Sequence, residues 1–370
     1  MDTKIKNRII SVSFIFILGA MMIINILSPD KEISYEERRK LSTFPKFKVE
    51  DILNGDYFEQ MEEYFLDQFY LRENFRKVKA FVNNKIFKEK DNNNIYIVDD
   101  GIYKMEYGLN EKSILNSANL YNKIKNTYFK KCNAYYTIIP DKNYFVAEKE
   151  NYLHLDYKKL IDIMNKNTFD MNYINIVDAL QINDYYRTDL HWKQDKIEKI
   201  ADKILKSMNN KSSNLTYDKK EFELFYGSYY GQAATNIKPD KLVYLNNEIL
   251  KKCRVYDYQK GDYIKIYNDK DFKNIDSYDV YLGGAKPLLT IENPSNKSDN
   301  ELYIFRDSFG SSLAPLLVNE YSKITLVDLR YINSVYFQKF IQVKENSDVL
   351  FMYNTSILNN SSIITKFLPN

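Results

Sequence analysis

The chain is poor in the residues that build metal and redox centres. It holds two cysteines and two histidines in 370 residues. Cys132 and Cys253 lie 121 positions apart, in neither a metal-type nor a redox-type spacing. Too few His and Cys side chains exist for a zinc-type site, so no metal and no cofactor is expected. The sequence leaves open whether the two cysteines pair. Histidine chemistry can draw only on His154 and His191. An excess of one charge is missing as well: 53 Lys and Arg against 50 Asp and Glu give +3. That balance makes no case for a nucleic-acid partner. What is abundant is apolar and aromatic. Hydrophobic residues make up 44% of the chain, enough for one large domain with an extension, or for two domains. The 33 tyrosines follow the general bias toward Tyr, Lys, Asn and Ile, so their number alone does not argue for sugar stacking.

Residues 9–27 form an almost wholly apolar, uncharged run that as a helix spans roughly 28 Å, close to the ~30 Å hydrocarbon core of a bilayer. Lys4, Lys6 and Arg8 precede it. The positive-inside rule then leaves 1–8 in the cytoplasm and exports the rest. An uncleaved signal anchor is favoured over a cleaved signal peptide. The run is long for a signal core, and Leu27-Ser28-Pro29-Asp30 is a poor cleavage site. No cysteine follows it, which excludes a lipoprotein anchor.

Apolar residues at helical spacing predict two amphipathic helices in a juxtamembrane region, 28–94. Tyr57, Phe58, Met61, Tyr64, Phe65 and Phe69 mark the first, and Leu71, Phe75, Val78, Phe81, Val82 and Ile86 the second. The expectation is that they pack on the main domain; the alternative is a partner-docking surface near the membrane. A polar linker, 88–94, precedes the main domain, 95–370. There strands are expected at 95–98, 134–139 and 174–177, and helices at 111–130 and 156–166. Such alternation implies a mostly parallel sheet covered on both faces. An insertion at about 212–300, with a hairpin at 253–258 and 263–267, interrupts the pattern. The last seventy residues restore it: strand 302–305, helix 311–321, strand 324–327, helix 335–341, strand 349–353.

Two stretches carry chemistry. Ile304-Phe305-Arg306-Asp307-Ser308-Phe309-Gly310 reads as a buried strand turning directly into a helix. That turn exposes Ser308 at the C-terminal edge of the sheet, where open α/β sheets bind ligands and where helix N–H groups can meet an oxyanion. The bland reading of Ser308 is a helix N-cap. Asp189-Leu190-His191-Trp192 places a carboxylate and an imidazole two residues apart. The carboxylate can hold Nδ1–H and leave Nε2 free to take a proton from a serine. Trp192 can shield that pair from water or face a sugar ring. The competing reading is an N-cap aspartate beside a partly buried histidine, ahead of a helix at 193–205.

Asp189-Leu190-His191-Trp192 with Arg306-Asp307-Ser308-Phe309 resembles the DHHW family of bacterial surface proteins. That family is similar to the alginate O-acetylation proteins, whose acetyltransferase domain is of the SGNH hydrolase-like type. Leu190 stands where the family has its first histidine. Further matches are Glu37-Arg38-Arg39-Lys40-Leu41, Pro140-Asp141-Lys142, Tyr281-Leu282-Gly283-Gly284 and Val327-Asp328-Leu329-Arg330-Tyr331. The resemblance implies a three-layer α/β/α fold with Ser308 as nucleophile, His191 as base and Asp189 as orienter. For the oxyanion it suggests the Ser308 N–H, Gly283 or Gly284, and Asn354. Arg306, Arg330, Tyr331 and Lys142 are candidates for substrate contact, with a structural role the favoured reading of each. The implied activity is O-acetyl transfer to a cell-surface polysaccharide, with a membrane-bound acyltransferase partner as acyl source. A carbohydrate esterase with the same triad, or a non-catalytic envelope scaffold or carbohydrate-binding protein, are the alternatives.

Overall fold

The computed structural model describes residues 3–210 and 215–367. The expected insertion boundary at about 212, the first two residues of the expected cytoplasmic tail and the last three of the main domain lie outside the described residues. The chain divides into two compact units, Met1–Asn92 with Tyr230–Asn236, and Asn93–Tyr229 with Ile237–Asn370.

In the first unit, helix Thr3–Leu27 is long and apolar enough to serve as a membrane anchor or a signal sequence. Helices Asp56–Gln68 and Arg72–Phe81 follow, the second running into a π-helical turn at Val82–Phe87. The Glu37-Arg38-Arg39 motif has a structural task here. Arg39 bonds the carboxylate of Asp67 and holds its pKa down at about 2, while Glu37 accepts from Arg72 at 2.6 Å. Of the apolar residues on these helices, Phe58, Phe65, Phe75, Val78 and Phe81 are exposed, while Tyr57, Met61, Tyr64 and Val82 are half-buried.

The second unit is built on an eight-stranded sheet. Its strands are β1 (Asn133–Ile139), β2 (Asn172–Tyr173), β3 (Arg254–Asp257), β4 (Asp262–Ile264), β5 (Leu288–Glu292), β6 (Glu301–Arg306), β7 (Lys323–Val327) and β8 (Asp348–Asn354). Their spatial order is β4-β3-β5-β7-β6-β8-β1-β2. The run from β7 to β2 is parallel, and β5, β3 and β4 join antiparallel. The central strands are continuous apolar runs because both faces are covered. Leu302 and Ile304 of β6 enter one core layer, with helices Glu198–Ser207 and Phe309–Leu317. Tyr303 and Phe305 enter the other, with helices Glu111–Tyr128 and Tyr157–Asn167. This is a three-layer α/β/α fold. Across β6 and β8, Phe305 faces Phe351 and their rings stack with centroids 4.8 Å apart.

Several elements differ from expectation. Ile95–Val98 is a strand but pairs with Gly101–Lys104 in a separate hairpin. The strand expected at 174–177 lies earlier, at β2. Asn175 Oδ1 accepts from the Val177 N–H and turns the chain into a 3-10 segment, Val177–Ala179. The helix after His191 starts as a 3-10 turn, Gln194–Lys196, and becomes α only at Glu198. The insertion supplies β3, β4 and β5 to the main sheet, and a second hairpin, Asp218–Phe225 with Asp240–Asn246, beside it. Cys132 and Cys253 are both free thiols.

Candidate active site

β6 ends at Arg306, one residue before the turn that carries Ser308. Ser308 occupies the N-cap position of helix Phe309–Leu317, yet its hydroxyl makes no capping bond. Asp307 does that work instead. Its Oδ1 accepts from the Phe309 N–H at 3.0 Å, and its Oδ2 from the Asn354 N–H at the end of β8, 2.7 Å away. The serine oxygen is thereby released for another partner, and that partner is His191. Nε2 of His191 lies 2.7 Å from Ser308 Oγ, and Nδ1 lies 2.6 Å from Asp189 Oδ1. The structure brings these three sequence-selected residues together in one hydrogen-bonded chain.

The histidine is clamped on all sides. Asp189 is fully buried; it also accepts the His191 N–H at 2.9 Å and, through Oδ2, the Ser228 N–H at 2.7 Å. The Tyr278 ring stacks on the imidazole, centroids 3.9 Å apart and 9° from parallel. Trp192 is wholly buried, so its expected role as a sugar platform is corrected to a structural one. Its indole N–H donates to Ser312 Oγ at 2.9 Å and to the Phe309 carbonyl at 3.2 Å. That bolts the histidine loop to the first turn of the serine helix. Gln194 Nε2 adds a bond to the Ser312 carbonyl at 2.7 Å. Gly227 allows the approach from the other side. A Cβ there would lie 2.3 Å from both Asp189 Cβ and the Thr188 carbonyl. The glycine lets the chain pass close to Asp189; it does not mark a ligand subsite.

Lys142 is 2% exposed and touches the same loop from beneath. Its three ammonium donors match three carbonyls: Ile102 at 2.6 Å, Arg187 at 2.9 Å and Asp189 at 3.1 Å. Burial pushes its pKa down to about 7. Lys142 thus holds the backbone that presents Asp189 and is buried away from substrate. Its neighbour Asp141 ties β1 to the turn after β8, accepting from Thr355 Oγ1 at 2.6 Å. The Pro140-Asp141-Lys142 motif is therefore a support of the site.

The other selected residues lie apart from the chain. Arg306 is fully buried in the sheet, 3.7 Å from Asp328, and burial lowers its pKa. Arg330 grips the same Asp328 through Nε at 2.9 Å and Nη2 at 2.7 Å, and its guanidinium covers the exposed Tyr331 ring. Asp328 thus fixes Arg330 by two hydrogen bonds, whereas Arg306 hydrogen-bonds only through Nη1, to the Asp307 carbonyl at 3.3 Å, and its Nε and Nη2 are buried without a hydrogen-bond partner among the described residues. The Gly284 N–H donates to the Tyr281 carbonyl at 3.1 Å, and Gly283 lines a different cavity. Gly283 and Gly284 have φ of +68° and +81°, so they serve a left-handed turn. The Asn354 N–H is committed to Asp307, and its side chain caps the next helix through the Ser356 N–H at 2.9 Å. Among the oxyanion donors considered, this leaves the Ser308 N–H. Tyr278, Ser312 and Gln194 were not legible beforehand, because their roles arise from tertiary contacts. Asp307 carried a usable signal, since an aspartate before a helix start favours an Asx turn.

A serine hydroxyl bonded to an imidazole that a buried carboxylate orients is an arrangement that can support nucleophilic acyl-transfer chemistry. No family model and no curated protein matches the chain. The fold is similar to that of a DHHW family protein from Eubacterium siraeum, with a TM-score of 0.62 and 20% identity over 76% of this chain and 97% of that one. It is also similar to Bacillus cereus PatB1, with a TM-score of 0.60 and 18% identity over 75% of this chain and 100% of that one. PatB1 is known too with a sulfonyl adduct, at TM-score 0.58 and 17% identity over 74% and 100% of the two chains. At these identities the likeness is one of fold.

Proposed function

We propose that this chain is a membrane-anchored O-acyltransferase whose second unit works outside the cytoplasm on a cell-surface polysaccharide. The observation that carries this reading is the bonded series Ser308, His191, Asp189. Ser308 Oγ attacks the acyl carbon of an ester donor, and its proton passes to His191 Nε2. The acyl–oxygen bond of the donor breaks, and the leaving group takes that proton. A sugar hydroxyl then attacks the acyl-serine, giving its proton to His191, which returns it to Ser308. Asp189 holds the Nδ1–H tautomer throughout and stabilises the imidazolium. The Ser308 N–H faces the developing oxyanion. The N-terminal helix and the resemblance to polysaccharide O-acetylation proteins support an acetyl donor delivered by a membrane-bound acyltransferase partner. The sulfonyl adduct of PatB1 supports using a sulfonyl reagent as a probe of the serine.

Mass spectrometry of the full chain in detergent, incubated with p-nitrophenyl acetate and an oligosaccharide, tests the reading. It predicts an acetyl group on Ser308 and then on the sugar. Acetate released with the sugar unmodified makes the enzyme an esterase. Turnover without any Ser308 adduct overturns the assignment.

A further inference from the structure

The antiparallel edge of the sheet carries a cavity of about 1070 Å3 that neither Ser308 nor His191 lines. Its floor is an aromatic pair. Tyr244 and Tyr267 stack with centroids 4.2 Å apart and 7° between planes. At the rim, on β4, Tyr263 is 44% exposed, and the Arg254 guanidinium lies 4.8 Å from its ring centre. Six of the twenty lining residues are basic: Lys251, Arg254, Lys260, Lys265, Lys270 and Lys286. Three are Asp. Over the whole chain the charges nearly balance, so this excess is local. Lys286 pairs with buried Asp257 at 3.2 Å, and Arg254 with Glu292 at 2.9 Å. Among the described residues, Lys260, Lys265 and Lys270 have no ion pair within the chain. Asn246, Asn268 and Asn274 add amide groups to the same walls.

We propose that this cavity binds a segment of an anionic oligosaccharide. The exposed Tyr263 ring suits the apolar face of a sugar, amides suit its hydroxyls, and unpaired ammonium groups suit carboxylates. The volume lies at the top of the roughly 300–1,000 Å3 of ligand pockets, enough room for a short oligosaccharide segment. The site is separate from the serine, so it stands whether or not Ser308 is a nucleophile.

The test is calorimetric titration of the full chain in detergent with hexagalacturonate and with neutral maltohexaose. The expected result is that hexagalacturonate binds at least about tenfold more tightly and weakens as salt is raised. The triple variant Lys260→Ala, Lys265→Ala, Lys270→Ala loses about tenfold or more in affinity with unchanged thermal unfolding. Tyr263→Ala weakens both ligands, while Ser308→Ala binds as the unmodified chain does. Equal affinity for the two hexamers overturns the proposal, as does full binding by the triple variant. Displacement of the sugar by an equal concentration of single-stranded DNA overturns the assignment to a glycan.

Discussion

Nε2 of His191 sits 2.7 Å from the hydroxyl of Ser308, although 117 residues separate them in sequence. The contact does not rest on two flexible side chains finding each other. Trp192, next to the histidine, is bonded to Ser312 and Phe309, next to the serine. Tyr278 closes the remaining face of the imidazole. The imidazole and the hydroxyl are therefore held in register by the fold itself, the kind of preorganisation that the proposed acyl transfer needs.

Asp189→Asn is expected to lower kcat by about 10⁴ on an acetyl ester, because the amide no longer selects the Nδ1–H tautomer of His191. Steady-state kinetics with p-nitrophenyl acetate checks this. A variant with near-normal kcat would show that His191 needs no orienter here.

Gly227→Ala forces a methyl group to within 2.3 Å of Asp189 Cβ and the Thr188 carbonyl. Overpacking of this kind costs about 1–3 kcal/mol. Thermal unfolding should show a lowered Tm together with reduced turnover, since the displaced residue is the orienter itself. An unchanged Tm would contradict the close approach.

Trp192→Phe keeps an aromatic ring, leaves a small cavity where the larger indole stood, and removes the N–H that reaches Ser312 and the Phe309 carbonyl, both buried. The expected destabilisation is about 1–3 kcal/mol, read by denaturant unfolding. The pH dependence of turnover should keep its shape, because no titrating group is lost.

Lys142 adds a pH dependence whose sign follows from its pKa of about 7. Below that pH the folded chain carries a buried ammonium, and that burial cost is fully present. As pH rises from about 7 toward the unfolded value near 10.4, the unfolded state binds more protons than the folded one, so stability rises. The gain over that window is at most ~5 kcal/mol. In Lys142→Met it is absent, so the stability difference between the two proteins shifts toward the unmodified chain at high pH. Turnover moves the other way. A neutral amine has two donors for three carbonyls, so activity falls above about pH 7 in the unmodified chain, and this limb is missing from the variant. Parallel pH profiles for the two proteins would exclude the role.

How much of this was legible follows from which contacts are local. The apolar runs at 302–305, 324–327 and 349–353 read directly as central parallel strands, because strands covered on both faces need no alternation. Asp189 and His191 were legible as a pair because they are two residues apart. Strand β2 was misplaced because an Asx turn at Asn175 outweighs the β propensity of Ile174, Ile176 and Val177. The extent of the sheet was missed for a different reason. β5 pairs with β3 and β7 across distant sequence, and its apolar run could equally have been a short helix. A structural role was the favoured reading of Lys142, but which carbonyls it holds was not legible, because they come from distant segments. Its burial depends on strand Gly101–Lys104 and the 187–189 loop folding over it. Of the two readings of Trp192, a sugar face is excluded by its complete burial, which local sequence does not show. The cap reading of Ser308 failed because its neighbour Asp307 is the better acceptor for the helix N–H.

The most direct test is covalent labelling of the full chain with phenylmethanesulfonyl fluoride, followed by peptide mapping. The account predicts one sulfonyl group, on Ser308, with labelling slowed by orders of magnitude in His191→Ala. It predicts no label and no esterase turnover in Ser308→Ala, whose thermal unfolding stays within about 0.5 kcal/mol of the original. A label that lands elsewhere, or a Ser308→Ala protein that still turns over acetyl esters, would contradict it.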